Sequence, residues 1–195
     1  MRVLVIYCHP LPTSFNAAVH ERVIEALRAR GHEVDDCDLY REGFSPVLTA
    51  EELALYHRIP DNRAPVQAYV DRVLRAEALV FVFPVWNFGL PAMLKGFFDR
   101  VLLPGVSFDM SDPAQIRPGL THLRHVVGIS TYGVARWRAW WLGDAPRAII
   151  KRFMSRLTDG RARIEYLPCY GMNQAGADER ARFLQRVGET MHRLA

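Results

Sequence analysis

Cysteine is scarce in this chain. Cys8, Cys37 and Cys169 are the three present in 195 residues, too few and too scattered for a disulfide framework or a thiolate metal site. No metal centre is expected, and a reducing, cytoplasmic location is the default. Long apolar runs are missing as well. The longest, residues 79–86, is interrupted by Pro84 and falls far short of the roughly 20 residues a membrane-spanning helix requires. Residues 1–20 show no basic stretch followed by an apolar one, so no secretory leader is expected. Blocks of like charge do not occur either. Lys and Arg number 25 against 21 Asp and Glu, a net charge of +4, but the two signs are interleaved along the helical stretches. That spread describes solvated helix faces rather than a nucleic-acid footprint; the weaker reading is a positive field that attracts anionic phosphates. With no repeat, low-complexity tract or linker-like shift, residues 1–195 are read as one domain with a sizeable core.

What the sequence does contain is an alternation of type. Residues 2–7 form a β-branched-rich run ending at His9-Pro10, and Leu79-Val-Phe-Val-Phe83 is a second, ended by Pro84; both read as buried strands. Residues 33–40 read as a less apolar edge strand, and residues 125–130 and 163–167 as two more. Between them, Val19, Val23, Ile24 and Leu27 share one helix face, as do Val66, Tyr69, Val70, Val73 and Leu74. Leu94, Phe97, Phe98, Val101 and Leu102 follow Pro91, which suits a first helical position. Ile149, Ile150, Phe153, Met154 and Leu157 predict another helix, and Phe183, Leu184, Val187, Met191 and Leu194 the closing one. Strands alternating with helices imply a parallel sheet covered on both faces, a three-layer α/β domain. Ligands of such sheets bind at the loops leaving the carboxyl ends of the strands, here those after Tyr7, Phe83, Ser130 and Leu167.

The first of these loops, residues 8–16, contains no glycine and no P-loop lysine, which excludes a dinucleotide fingerprint and a Walker loop. It places Thr13, Ser14 and Asn16 at a helix start, where free N–H groups and the helix dipole favour an anion. Plain helix capping accounts for the same residues, and His9 is equally well a packed residue. The second loop, residues 84–91, sets Trp86 and Phe88 beside Gly89. The rings suit a flat conjugated ligand, or cap the core, and Gly89 permits close backbone approach. The third, Ser130-Thr-Tyr-Gly133, offers several N–H donors. Trp137, Trp140 and Trp141, three of the four tryptophans, lie just beyond and point to a pocket wall or a subunit contact. One loop suits phosphate, one a flat ring, and one the ring's polar edge, which together describe an aromatic phosphorylated cofactor.

Tyr7-Cys-His-Pro, Thr13-Ser-Phe-Asn16 and the block from Phe83 to Val101 resemble the flavodoxin-like NAD(P)H:quinone oxidoreductases, the DT-diaphorase family, with the flavin-dependent azoreductases as close relatives. The resemblance implies a flavodoxin-like fold with a five-stranded parallel sheet in the order 2-1-3-4-5, and a homodimer with the flavin near the interface. It implies that His9, Thr13, Ser14, Phe15 and Asn16 surround the flavin phosphates. Pro84, Val85, Trp86, Asn87 and Phe88 then run along the ring, and Thr131, Tyr132 and Gly133 face its N1/O2 side, where reduction places negative charge. The implied activity is two-electron, double-displacement transfer from NAD(P)H to a quinone-like acceptor. Residues 134–144 lack the Tyr and His that longer members carry for the proton at O2. Trp86 and Tyr132 are therefore assigned to the chemical step, with Tyr132 or a water managing that proton. Arg180, in Gly176-Ala-Asp-Glu-Arg180, matches an arginine that approaches FAD from the dimer mate, which favours FAD over FMN as cofactor. The competing readings are a non-catalytic electron-transfer or regulatory flavoprotein and a flavin-free module binding a phosphorylated ligand.

Overall fold

The computed structural model describes residues 1–112 and 115–194. Five parallel strands form one sheet: β1 (Arg2–Tyr7), β2 (Glu33–Asp38), β3 (Ala78–Val85), β6 (His125–Tyr132) and β7 (Arg163–Cys169), in the order β2-β1-β3-β6-β7. This is the expected 2-1-3-4-5 arrangement. The most apolar runs take the centre, where both faces are covered, so Val3 to Ile6 and Leu79 to Phe83 are almost wholly buried. The polar residues of β2 mark it as an edge.

Side chains alternate across the sheet and divide the core in two. Val3, Val5, Val80 and Val127 meet α1 (Phe15–Ala29) and α8 (Ala177–His192) through Val19, Val23, Leu27, Val187 and Met191. Leu4, Ile6, Phe81 and Phe83 meet the opposite layer: α3 (Gln67–Arg75), α4 (Ala92–Val101) and the run that holds Ile150 and Met154. A short α2 (Ala50–Leu55) starts from a Thr49 capping box. No helix among the described residues is long and apolar enough to cross a membrane.

Several boundaries differ from the sequence expectation, each for a local reason. Pro84 does not end β3; the strand runs to Val85, with Pro84 opposite Thr131. Val82 directs its carbonyl to Cys8 on the β1 side, and backbone groups alternate along a strand, so the missing N–H of Pro84 faces that same side. The β1–β3 register ends at Tyr7 and Val82, where the next ladder donor would be the residue-84 N–H, so the proline stops pairing with β1 while β3 continues along β6. Pro168 is tolerated in β7 because Arg163 donates toward β6, which turns the Pro168 nitrogen to the open edge. β6 continues two residues beyond Ser130, placing Thr131 and Tyr132 on the strand rather than in the loop.

The single helix expected over residues 149–157 is two pieces, a π-turn (Ile149–Phe153) and α7 (Met154–Leu157), and it is preceded by a short α6 (Ala145–Ala148). The wider turn rotates the face, so Phe153 is exposed while Ile150, Met154 and Leu157 stay buried. Pro91 is the N-cap of α4, one position earlier than expected. Two elements had no counterpart in the sequence reading: the hairpin of β4 (Phe108–Asp109) and β5 (Arg117–Pro118), and α5 (Arg136–Trp141).

Candidate functional site

The register brings the carboxyl ends of β1, β3 and β6 to one rim, and a cleft of about 690 Å³ opens there. Its walls hold His9, Ser14, Phe15, Asn16, Pro84, Val85, Trp86, Asn87, Thr131 and Gly133, joined by Met172 and Asn173. Among the described residues no Asp, Glu, Lys or Arg side chain lines it, so an anion held by these residues is held by neutral dipoles.

Ser14 caps α1, its hydroxyl accepting from the Ala17 N–H at 3.1 Å. The first N–H groups of the helix, at Phe15 and Asn16, have no preceding turn to pair with. Asn16 is buried, and its amide bonds the Thr131 hydroxyl at 2.7 Å, tying α1 to β6. The other end of that amide has no partner. A hydroxyl donates or accepts, so whichever way the amide is turned, one polar atom of Asn16 is left unpaired in the cleft wall. Leaving such a group unsatisfied costs about 1–3 kcal/mol. The cleft wall thus presents an unpaired hydrogen-bonding group.

His9 accepts from the Leu11 N–H at Nδ1, 3.1 Å away, which puts the proton of its neutral form on Nε2. Burial lowers its pKa, so at neutral pH His9 is an uncharged Nε2–H donor. Its ring lies 5.8 Å from that of Trp86.

Beyond β3 the chain reverses through residues 86–89. Gly89 N–H donates to the Trp86 carbonyl at 2.9 Å, and Trp86 N–H to the Gly89 carbonyl at 3.3 Å. Both central residues have positive φ, 48° at Asn87 and 61° at Phe88, the conformation of a type I′ turn. Asn accepts this backbone readily, but for Phe88 it stores about 1–3 kcal/mol of strain. Close backbone approach at Gly89 does not occur: a Cβ there would meet only the Trp86 carbonyl at 3.8 Å. The strained residues are its two predecessors, and the turn leaves Trp86 and Phe88 exposed.

The remaining sequence candidates lie outside the cleft. Thr13 is exposed in the turn before the cap. Arg180 stands with its guanidinium 5.9 Å from the Phe15 ring centre. Tyr132 is fully buried. Alternation along β6 turns it away from Thr131, and its hydroxyl bonds Asp144 and the Tyr166 hydroxyl. Burial, with Tyr166 and Asp144 beside it, pushes its pKa far above the ordinary tyrosine range. It anchors the end of β6 and has no path to a proton in the cleft. Met172 and Asn173 were not singled out from sequence, although the loop after β7 was. Met172 N–H donates to the Tyr132 carbonyl at 2.9 Å. Asn173 packs so closely on Gly133 that a Cβ there would lie 2.9 Å from its amide nitrogen.

A family model described as "Flavodoxin-like fold" matches residues 1–191. The rat protein named NAD(P)H dehydrogenase (quinone) 1 is 33% identical over 123 residues, which cover 55% of this chain and 45% of that one. The chain thus spans about half the length of the curated relatives it matches. A solved NAD(P)H:quinone oxidoreductase from Methanothermobacter marburgensis superposes with a TM-score of 0.85 at 26% identity, covering 100% of this chain and 99% of that one. An FMN-dependent NADH-azoreductase from Bacillus anthracis, solved with FMN, has a TM-score of 0.78 at 17% identity over 100% of this chain and 99% of its own, a likeness of fold alone.

Proposed function

The chain belongs to the flavodoxin-like fold family, and from that premise we propose that it is a flavoprotein oxidoreductase that passes two electrons from NAD(P)H to a quinone-like acceptor by double displacement. The observation that carries this reading is the convergence of three loops on one uncharged cleft: a helix start with unpaired N–H groups, an aromatic turn, and a strand end with Thr131 and Gly133. The residues fit a flavin. The free N–H groups in the opening turn of α1 suit its phosphate, the unpaired Asn16 Oδ1 suits a hydroxyl of its sugar-alcohol chain, and Trp86 suits the ring face. Relatives named for quinone and for NAD(P)H support the donor and acceptor.

Bound there, the cofactor supplies the reversible two-electron chemistry. The protein's part is to hold it and shape access. Ser14, Phe15 and Asn16 direct helix-start donors at the phosphate, and His9 adds its Nε2–H. The N–H groups of Asn87, Phe88 and Gly133, which the turn's own hydrogen bonds leave unused, would serve the ring's polar edge as fixed dipoles that need not reorganise when charge arrives. Trp86 walls the face on which donor and acceptor take turns. With Tyr132 engaged by Asp144, the proton for the acceptor comes from water entering the open side of the cleft. FAD is favoured over FMN through Arg180, which lies beside Phe15 at the cleft's edge and would act on the longer cofactor of a second copy.

Purified protein supplied with FAD or FMN is expected to oxidise NADPH or NADH when menadione is added. NAD(P)H alone should bleach the bound flavin, which a shuttle needing a separate reductase would not allow. No turnover with either nucleotide and any quinone would refute the enzymatic reading. Trp137, Trp140 and Trp141 are 64%, 77% and 75% exposed, more apolar surface than a small helix leaves in water. This face is proposed to cover a second copy, and sedimentation of the flavin-loaded protein at twice the chain mass is the expected result; a monomer at micromolar concentration would contradict it.

A further inference from the structure

A second cleft, of about 570 Å³, lies beside α5 and the π-turn. Arg136, Arg147, Lys151 and Arg152 line it, with Trp140 and Tyr170. None of the four cations forms an ion pair with a carboxylate among the described residues. Arg147 lies over the Tyr166 ring at 5.9 Å, and Lys151 donates to the Ile164 carbonyl at 3.3 Å, contacts that leave their charge uncompensated. The one acid in the lining, Asp144, is turned to internal use. Its two carboxylate oxygens accept from the hydroxyls of Tyr132 and Tyr170, the latter at 3.2 Å. Four positive charges therefore face a concave surface whose only negative group is occupied, an arrangement that concentrates anions.

The two clefts share a wall. Tyr170 lines the basic one, and Met172, two residues on and so within about 7 Å along the chain, lines the ring cleft. The strand end does the same: Thr131 and Gly133 face the ring cleft, while Tyr132 between them reaches Asp144 on the other side. A ligand whose redox end lies in the first cleft would reach the second by crossing this shared wall.

Resting on the functional reading above, we infer that this basic cleft takes the phosphomonoester of an adenine nucleotide, the 2′-phosphate that distinguishes NADPH from NADH, and so makes NADPH the preferred donor. At neutral pH that group carries between one and two negative charges, and guanidinium groups bind it by charge-assisted, forked hydrogen bonds.

The test is binding of adenosine 2′,5′-bisphosphate against 5′-AMP, followed by tryptophan emission and calorimetry on the protein as purified. One well-formed charge-assisted contact predicts a tenfold to hundredfold preference, roughly, for the bisphosphate. Arg152→Glu and Arg147→Glu change exposed side chains and should abolish that preference, whereas Arg152→Lys should retain most of it. Inorganic phosphate should compete only weakly. Equal affinity for the two nucleotides, or capture of inorganic phosphate as tightly as the bisphosphate, overturns the inference. The readout does not require flavin. Loss of flavin binding with nucleotide preference intact would fail the functional reading, and the reverse pattern would fail this one.

Discussion

Ser14→Asp is expected to leave the protein as stable as its parent and to weaken flavin binding by about a hundredfold. The two effects separate because Ser14 has two tasks. As N-cap of α1 it accepts from the Ala17 N–H, and Asp performs that task as well as Ser does. As part of the cleft wall it stands where the cofactor phosphate is proposed to lie, and Asp brings a negative charge to that place. Two like unit charges about 5 Å apart in an effective dielectric of about 20 repel by about 3 kcal/mol, which is about two orders of magnitude in affinity. Thermal unfolding and a flavin-fluorescence titration read the two quantities independently. A folded Ser14→Asp protein with undiminished flavin affinity would remove the anion from the start of α1.

The second large effect is on stability. Gly96 lies inside α4, where replacing Gly by Ala normally gains about 1 kcal/mol. Here the sign reverses. A Cβ on Gly96 would stand 2.3 Å from the Pro46 carbonyl oxygen and 2.4 Å from its Cα, backbone atoms that cannot rotate away. The segment they belong to is fixed: Arg100, one turn further along α4, donates to the Ser45 carbonyl and to Glu52. Overpacking of this kind costs about 1–3 kcal/mol and sometimes more. Gly96→Ala is expected to destabilise by up to about 2 kcal/mol after the helix gain is subtracted. Because α4 follows directly on the 86–89 turn, flavin affinity should fall as well. A denaturant midpoint equal to or above the parent's would show that residues 45–46 can retreat.

The central strands were legible because burial on both faces forces continuous apolar runs, and Val3 to Ile6 and Leu79 to Phe83 are such runs. Their ends were harder to place. Pro84 read as a stop, whereas it ends only the pairing with β1 and leaves the pairing with β6 intact, and only the order of strands shows which side lacks the donor. The same dependence on register misled at Tyr132. In sequence it sits among the donors of the third loop; on β6 it alternates away from Thr131 into the opposite layer. The first two loops were legible through residue type: a cap sequence at Ser14, aromatic residues at Trp86 and Phe88. Met172 and Asn173 carry no such signature and reach the cleft only because β7 lies beside β6. The Phe153 face followed from a regular helical period, which the π-turn breaks.

The account depends on a planar ring with a phosphate tail fitting the cleft between His9, Trp86 and Gly133. The most direct measurement is the visible spectrum of the protein after incubation with FMN or FAD and removal of unbound cofactor. A yellow protein carrying about one flavin per chain, with its spectrum perturbed by Trp86 and lost in Ser14→Asp, is the predicted result. A colourless protein with either flavin would contradict it.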